Sequence, residues 1–201
     1  MILLVVGASA AGKTTALGTA RDRLRDVEVR DFDEIGVPEH ADGLWRLRAN
    51  ERWVRHAIAS TRHLMLSGQT PLGELLASPS ADRLDGIAAC LLDCHDVVRI
   101  RRLRQRGRPA ATQDQLNWAA WHRLHATDPQ WERDVIEAPS RDLPWDRWRD
   151  WQEGDPRWSI EVIDTTCLLP IEVGERLVDW ADRQLAMWRA GTLPLRGRWW
   201  D

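Results

Sequence analysis

Five apolar runs recur along the chain, and longer stretches with helical apolar spacing separate them. The runs are Met1 to Val6, Val27 to Asp31, His63 to Ser67, Ile87 to Asp93 and Ile160 to Asp164. Such alternation predicts repeated βα units and a parallel sheet. The fourth run, Ile-Ala-Ala-Cys-Leu-Leu, meets nothing polar before Asp93, as expected of a strand buried on both faces. Helices are predicted from about Lys13 to Arg25, from Asp96 to Arg106 and from Gln113 to Ala126. Between the second and third runs, Leu44, Leu47, Val54 and Ile58 fall at helical spacing, with Arg46, Arg48, Arg52 and Arg55 on the other face. Pro170 opens a last helix whose inner face carries Leu177, Val178, Ala181, Leu185 and Trp188. One domain is expected over residues 1–190, with a lid or insertion at about 107–158. The tail at 191–201 is expected to be loosely held.

Composition narrows the class. Two hundred residues suit one α/β domain with an insertion. A net charge of −3 and a pI near 6.1 argue against a general nucleic-acid binder. No stretch approaches the roughly 18 apolar residues of a membrane span. The opening apolar run has no basic leader and flows into a glycine-rich loop, so it does not read as a signal peptide. Cys90, Cys94 and Cys167 are odd in number and lack zinc-type pairing, which suits a reducing cytoplasm. Cys90, Cys94 and His95 read as a buried strand end before they read as a metal site.

The sharpest chemical signal follows the first run. Gly7-Ala8-Ser9-Ala10-Ala11-Gly12-Lys13-Thr14 matches G-x-x-x-x-G-K-T between a predicted strand and a predicted helix. Its glycines let backbone N–H groups converge on phosphate oxygens, and the helix N-terminus adds positive potential. Lys13 is the only lysine beside 27 arginines, as a count of the sequence shows. A slim stem ending in a point charge fits a loop wrapped round a triphosphate, where a planar guanidinium does not. Lys13 is expected to bridge the β- and γ-phosphates, and the Thr14 hydroxyl to ligate Mg²⁺. Gly7 to Thr14, with Thr15, form the expected nucleotide site.

Together with Asp31-x-Asp33 after the second strand and Arg102-Leu103-x-x-Arg106 after the fourth, this loop resembles the P-loop kinases of small molecules. That group contains adenylate, shikimate and gluconate kinases and chloramphenicol phosphotransferase. Arg106-Gly107-Arg108-Pro109 resembles the beginning of a lid in such kinases. The resemblance implies a five-stranded parallel sheet in order 2-3-1-4-5, a mobile lid between strands four and five, and ATP with Mg²⁺. It also implies Asp33 as the base that orients the acceptor hydroxyl and Asp31 as the magnesium partner, roles the two could exchange. The third run departs from the pattern, because it ends in Ser67-Gly68-Gln69 with no acidic residue.

Arg99, Arg102 and Arg106 share one face of a predicted helix, and Arg102 and Arg106 are candidates to neutralise charge on the γ-phosphoryl group. Arg46, Arg52 and Arg55 are candidates to hold an anionic acceptor, with Arg52 expected beside Asp31 and Asp33 in the cleft. Trp145, Trp148 and Trp151 are spaced by three and followed by Trp158, and packing is the favoured reading for them, for Trp118 and Trp121, and for Trp131. The function expected is phosphotransfer from a nucleoside triphosphate to a small-molecule hydroxyl or phosphate, in a cytoplasmic monomer or homodimer. A regulatory nucleotide-binding ATPase and a kinase of nucleic-acid ends are the alternatives.

Overall fold

A computed structural model describes residues 1–107 and 111–200. Strands β1 (Ile2–Val6), β2 (Val27–Asp31), β3 (His63–Gly68), β4 (Ile87–Asp93) and β5 (Ile160–Asp164) form one sheet. Their order is β2-β3-β1-β4-β5 and every neighbouring pair is parallel, as the sequence led us to expect. β1 lies at the centre, with Ile2 in register with Leu64 on one side and Ile87 on the other. Both faces of β1 are covered, so its apolar run shows no polar alternation. Ile2, Leu4 and Val6 join one core layer, and Leu3 and Val5 join the other.

Helices α1 (Lys13–Arg23) and α7 (Pro170–Ala190) pack on one face of the sheet. The apolar stripe of α7, Val173, Leu177, Trp180, Ala181 and Leu185, is buried there at spacings of three and four. The opposite face carries α2 (Gly43–Ala59), α3 (Leu72–Leu76) and α5 (Gln113–Thr127). Asp42 caps α2 by accepting from Trp45 N at 2.7 Å, and the helix buries Leu47, Asn50, Trp53, Val54 and Ala57. Helix α4 (Asp96–Gln105) follows β4, and α6 (Asp134–Glu137) follows α5. Predicted helix ends differ from these by a residue or two, where terminal turns loosen.

The segment between β4 and β5 packs onto the sheet. Trp121, Trp145, Trp148, Trp151 and Trp158 are buried within its core layer. Their indoles find partners: Trp148 Nε1 donates to Gly73 O at 3.2 Å, and Trp158 Nε1 to His125 O at 2.9 Å. Packing is therefore the fate of the tryptophans spaced by three. Trp131, by contrast, is an exposed large apolar side chain. The C-terminal segment corrects an expectation. It is not loosely held, because Leu193, Leu195 and Trp199 supply apolar surface that the core takes up, each at most 5% exposed. Ile87 N also donates to Leu195 O at 2.9 Å. Among the described residues, no helix is long and apolar enough to cross a membrane.

Candidate active site

The loop Gly7 to Gly12 leaves the end of β1 and turns into α1. A Cβ at Gly7 would stand 2.5 Å from the Leu92 carbonyl oxygen, so only glycine lets β4 approach so closely. Gly12 has φ of 100°, and Ala10 holds φ of 66°, a left-handed value uncommon for a residue with a Cβ. Ala10 keeps that conformation because its surroundings over-determine it. Lys13 Nζ donates to Gly7 O at 2.5 Å and to Ala8 O at 3.1 Å. Arg99 Nη1 donates to Ser9 O at 2.7 Å, and Arg102 Nη1 to Ala10 O at 3.4 Å. Thr165 Oγ1 donates to Ala11 O at 2.9 Å. Five successive carbonyls are thus tied to the protein, and the loop's remaining amides are what it can offer an anion. Burial, ahead of the nearby Arg99 and Arg106, lowers the Lys13 pKa to about 8, against the pull of Asp31.

A cleft of about 450 Å³ opens beside the loop and is lined by Ser9 to Thr14. Asp31, Asp33, Asp42, Trp45, Arg46 and Trp118 line it too, so the loop and the acidic pair share one space. Asp31 closes β2 and caps a short 3-10 turn, Phe32–Ile35, by accepting from Asp33 N at 3.1 Å. It is both a cap and a cleft residue. Phe32 is buried between the two acids and pins the turn, its carbonyl accepting from Trp53 Nε1 at 3.0 Å. Partial burial first, and the Asp31 carboxylate second, raise the Asp33 pKa against the pull of Lys13. Among the described residues no group of three or more His, Cys, Asp or Glu is arranged to hold a metal ion.

The arginines divide by role. Arg99 is fully buried, pairs with Asp93 at the end of β4 and braces the loop. Arg102 donates to Thr165 Oγ1 at 3.0 Å and Thr165 O at 2.6 Å, so it ties the end of β5 to the loop. Arg106 is exposed and lines the large cleft and a second one of about 300 Å³. That second cleft lies on the other flank of the loop, between Gly12, Thr15, Arg102, Gln105, Leu168 and Pro170. The expected lid residues Arg108 and Pro109 lie outside the described residues.

Arg52 corrects another expectation. It is exposed on α2 and does not line the cleft, because the face of α2 that turns inward carries Asn50 and Trp53. The α2 arginine that does reach the cleft is Arg46, which donates to both carboxylate oxygens of the fully buried Glu74 at 2.5 to 2.9 Å. Burial raises the Glu74 carboxyl, while Arg46 and then Asn50 pull it down. Trp45 and Trp118, with Asp42 and Thr70, are cleft residues that sequence reasoning missed. Helical spacing puts Trp118 beside Trp121 and gives no sign that only one of them is buried.

No protein-family model and no curated protein matches the chain. Solved structures do. A sugar kinase from Janibacter sp., in an unliganded structure, is similar at a TM-score of 0.56 and 18% identity, over 90% of this chain and 94% of that one. A tunicamycin resistance protein from Deinococcus radiodurans is similar at 0.55 and 18% identity, over the same shares, 90% and 94%. A gluconokinase from Sinorhizobium meliloti is similar at 0.57 and 14% identity, over 94% and 96%. At these identities the likeness is one of fold, and the fold is that of the P-loop kinases of small molecules.

Proposed function

We propose that the protein is an ATP-dependent kinase that phosphorylates a hydroxyl of a small molecule. The observation that carries this reading is the shared cleft, in which the braced loop, Lys13 and Thr14 face the carboxylates Asp31 and Asp33. Loop amides and Lys13 hold the β- and γ-phosphates, and the nucleoside lies in the second cleft, beside Arg102, Leu168 and Pro170. Thr14, Asp31 and water suit Mg²⁺, a hard cation that takes few protein oxygens and keeps several waters. When bound, the ion supplies neutralising charge to the phosphates. Asp33 aligns the acceptor hydroxyl and accepts its proton, and partial burial brings its pKa towards that task. The hydroxyl oxygen bonds to the γ-phosphorus. The bond from that phosphorus to the β–γ bridging oxygen breaks, its electron pair leaves with ADP, and the proton passes from Asp33 to solvent.

ADP release in the presence of acceptors tests the reading. Lys13→Ala is expected to lower transfer by about 10²–10³, as loss of a preorganised charge does. Asp33→Asn is expected to lower kcat by about 10²–10⁴ and to leave ATP affinity in place, as loss of a general base does. A Lys13→Ala protein that transfers phosphate like the parent would end the proposal. The Ser67-Gly68-Gln69 end of β3, without an acid, favours a second reading as a nucleotide-regulated binding protein. Tight MgATP binding with no transfer to any acceptor would select that one.

A further inference from the structure

The acceptor end of the large cleft is acidic and aromatic, and its arginine is already spoken for. Among the described residues, six charged ones line the cleft: Lys13, Asp31, Asp33, Asp42, Arg46 and Arg106. Lys13 belongs to the loop, and Arg106 borders the second cleft as well, so both positive charges stand where a polyphosphate would lie. Arg46 is offset by Glu74, which is fully buried and meets it with both oxygens. Asp31 serves the metal and Asp33 the acceptor hydroxyl, which leaves Asp42, without an ion-pair partner among the described residues, to face the rest of the acceptor.

An aromatic face stands beside them. Trp45 meets Phe32, the residue between Asp31 and Asp33, edge to face at 5.9 Å between ring centres. Trp118 lies beneath the Arg46 guanidinium at 5.6 Å and stacks on Trp121 at 4.9 Å, so its faces are taken and it walls the cleft beside Arg46. Thr70 also lines the cleft, is 1% exposed, and among the described residues its Oγ1 has no hydrogen-bond partner. A buried hydroxyl without a partner is costly unless a ligand completes it. Carboxylates together with indole faces are the surroundings that favour an ammonium group. They disfavour a second anion, which would meet like charge at close range.

We propose that the acceptor is a hydroxylated amine, bearing an alkylammonium group as well as the hydroxyl that receives the phosphoryl group. Asp42 and Trp45 hold the ammonium, and Thr70 meets a polar group beside it. The inference rests on the kinase reading above and replaces the expectation of an anionic acceptor gripped by arginine.

The test incubates the full chain with γ-³²P-ATP, Mg²⁺ and three pools of small polar metabolites: retained on a cation exchanger, retained on an anion exchanger, and neutral. Label is expected in acceptors from the amine-bearing pool. Transfer confined to the neutral or the anionic pool overturns the inference and leaves the kinase reading standing. Transfer to none of the three removes the kinase reading, and the inference with it. Asp42→Asn keeps a residue that caps α2 equally well. It is expected to lower kcat/KM for the labelled amine about tenfold, the effect of losing a charge-assisted contact, with ATP affinity unchanged. Trp45→Leu should do the same through loss of the aromatic face, and an unchanged kcat/KM in both variants would also overturn the inference.

Discussion

On one flank of the phosphate loop, Arg99, Arg102 and Arg106 follow one another along a single helix and its cap. On the other, Asp42 and Trp45 come from α2, Thr70 from the turn after β3, and Trp118 from α5. The arginines of the first flank fall within eight consecutive residues, and the second is assembled from segments dozens of residues apart. A chain built this way can keep its nucleotide handling while the acceptor side drifts.

Three experiments press on that contrast. The largest effect is expected on the nucleotide flank. Arg99→Met removes a fully buried guanidinium, leaves Asp93 with Arg123 alone, and frees the Ser9 carbonyl. Breaking a buried pair in this way costs about 3–5 kcal/mol, which urea unfolding would read as a fall in midpoint at constant slope. A loss below about 1 kcal/mol, the size of a surface change, would mean the loop does not depend on this brace.

Acid should act first on the acceptor flank. Burial, the dominant cause for both, lowers the His125 pKa to about 3 and holds His122 well below the usual range. Both imidazoles are therefore neutral in the fold, whereas the unfolded chain takes up protons below about pH 6.5. Stability is then full above pH 6.5 and is lost as pH falls from there towards 3. His125 alone should cost about 2 kcal/mol between pH 6.5 and 5. His122 touches Trp118 edge to face at 4.4 Å, so the loosening should reach the cleft. Unfolding followed by tryptophan fluorescence at the two pH values measures it, and equal midpoints would refute it.

The smallest effect is a deliberate blank. Arg52 is exposed and off the cleft, so Arg52→Ala should change stability by less than about 0.5 kcal/mol and leave the acceptor KM alone. A raised KM would return Arg52 to the acceptor flank.

The same contrast explains what could be read from the chain before its structure was known. The strands and the loop were legible because apolar runs and the G-x-x-x-x-G-K-T spacing are local patterns, and the strand order followed from the resemblance that loop carries. Asp31 and Asp33 could be placed beside the loop because they close a strand, and strand ends gather on one edge of a parallel sheet. The part played by Arg99 was not legible: a run of arginines looks solvated until Asp93 and the Ser9 carbonyl are seen to meet it. Arg46 and Arg52 are equivalent in sequence, and only the burial of Glu74, 28 residues from Arg46, separates them. The C-terminal segment looked loose because Leu193, Leu195 and Trp199, set among Gly, Pro and Arg, carry no periodicity. Their burial depends on Ile87 and Trp151 being at hand.

The carbonyls of Ser9 to Ala11, tethered by Arg99, Arg102 and Thr165, carry a last consequence. A loop whose shape is set by side chains from α4 and the end of β5 has little disorder to lose when a triphosphate arrives. Its affinity then reflects field and fit with hardly any ordering penalty. Genetic repair of a damaged loop would surface at remote codons, around positions 99, 102 and 165, sooner than within the glycine-rich stretch itself.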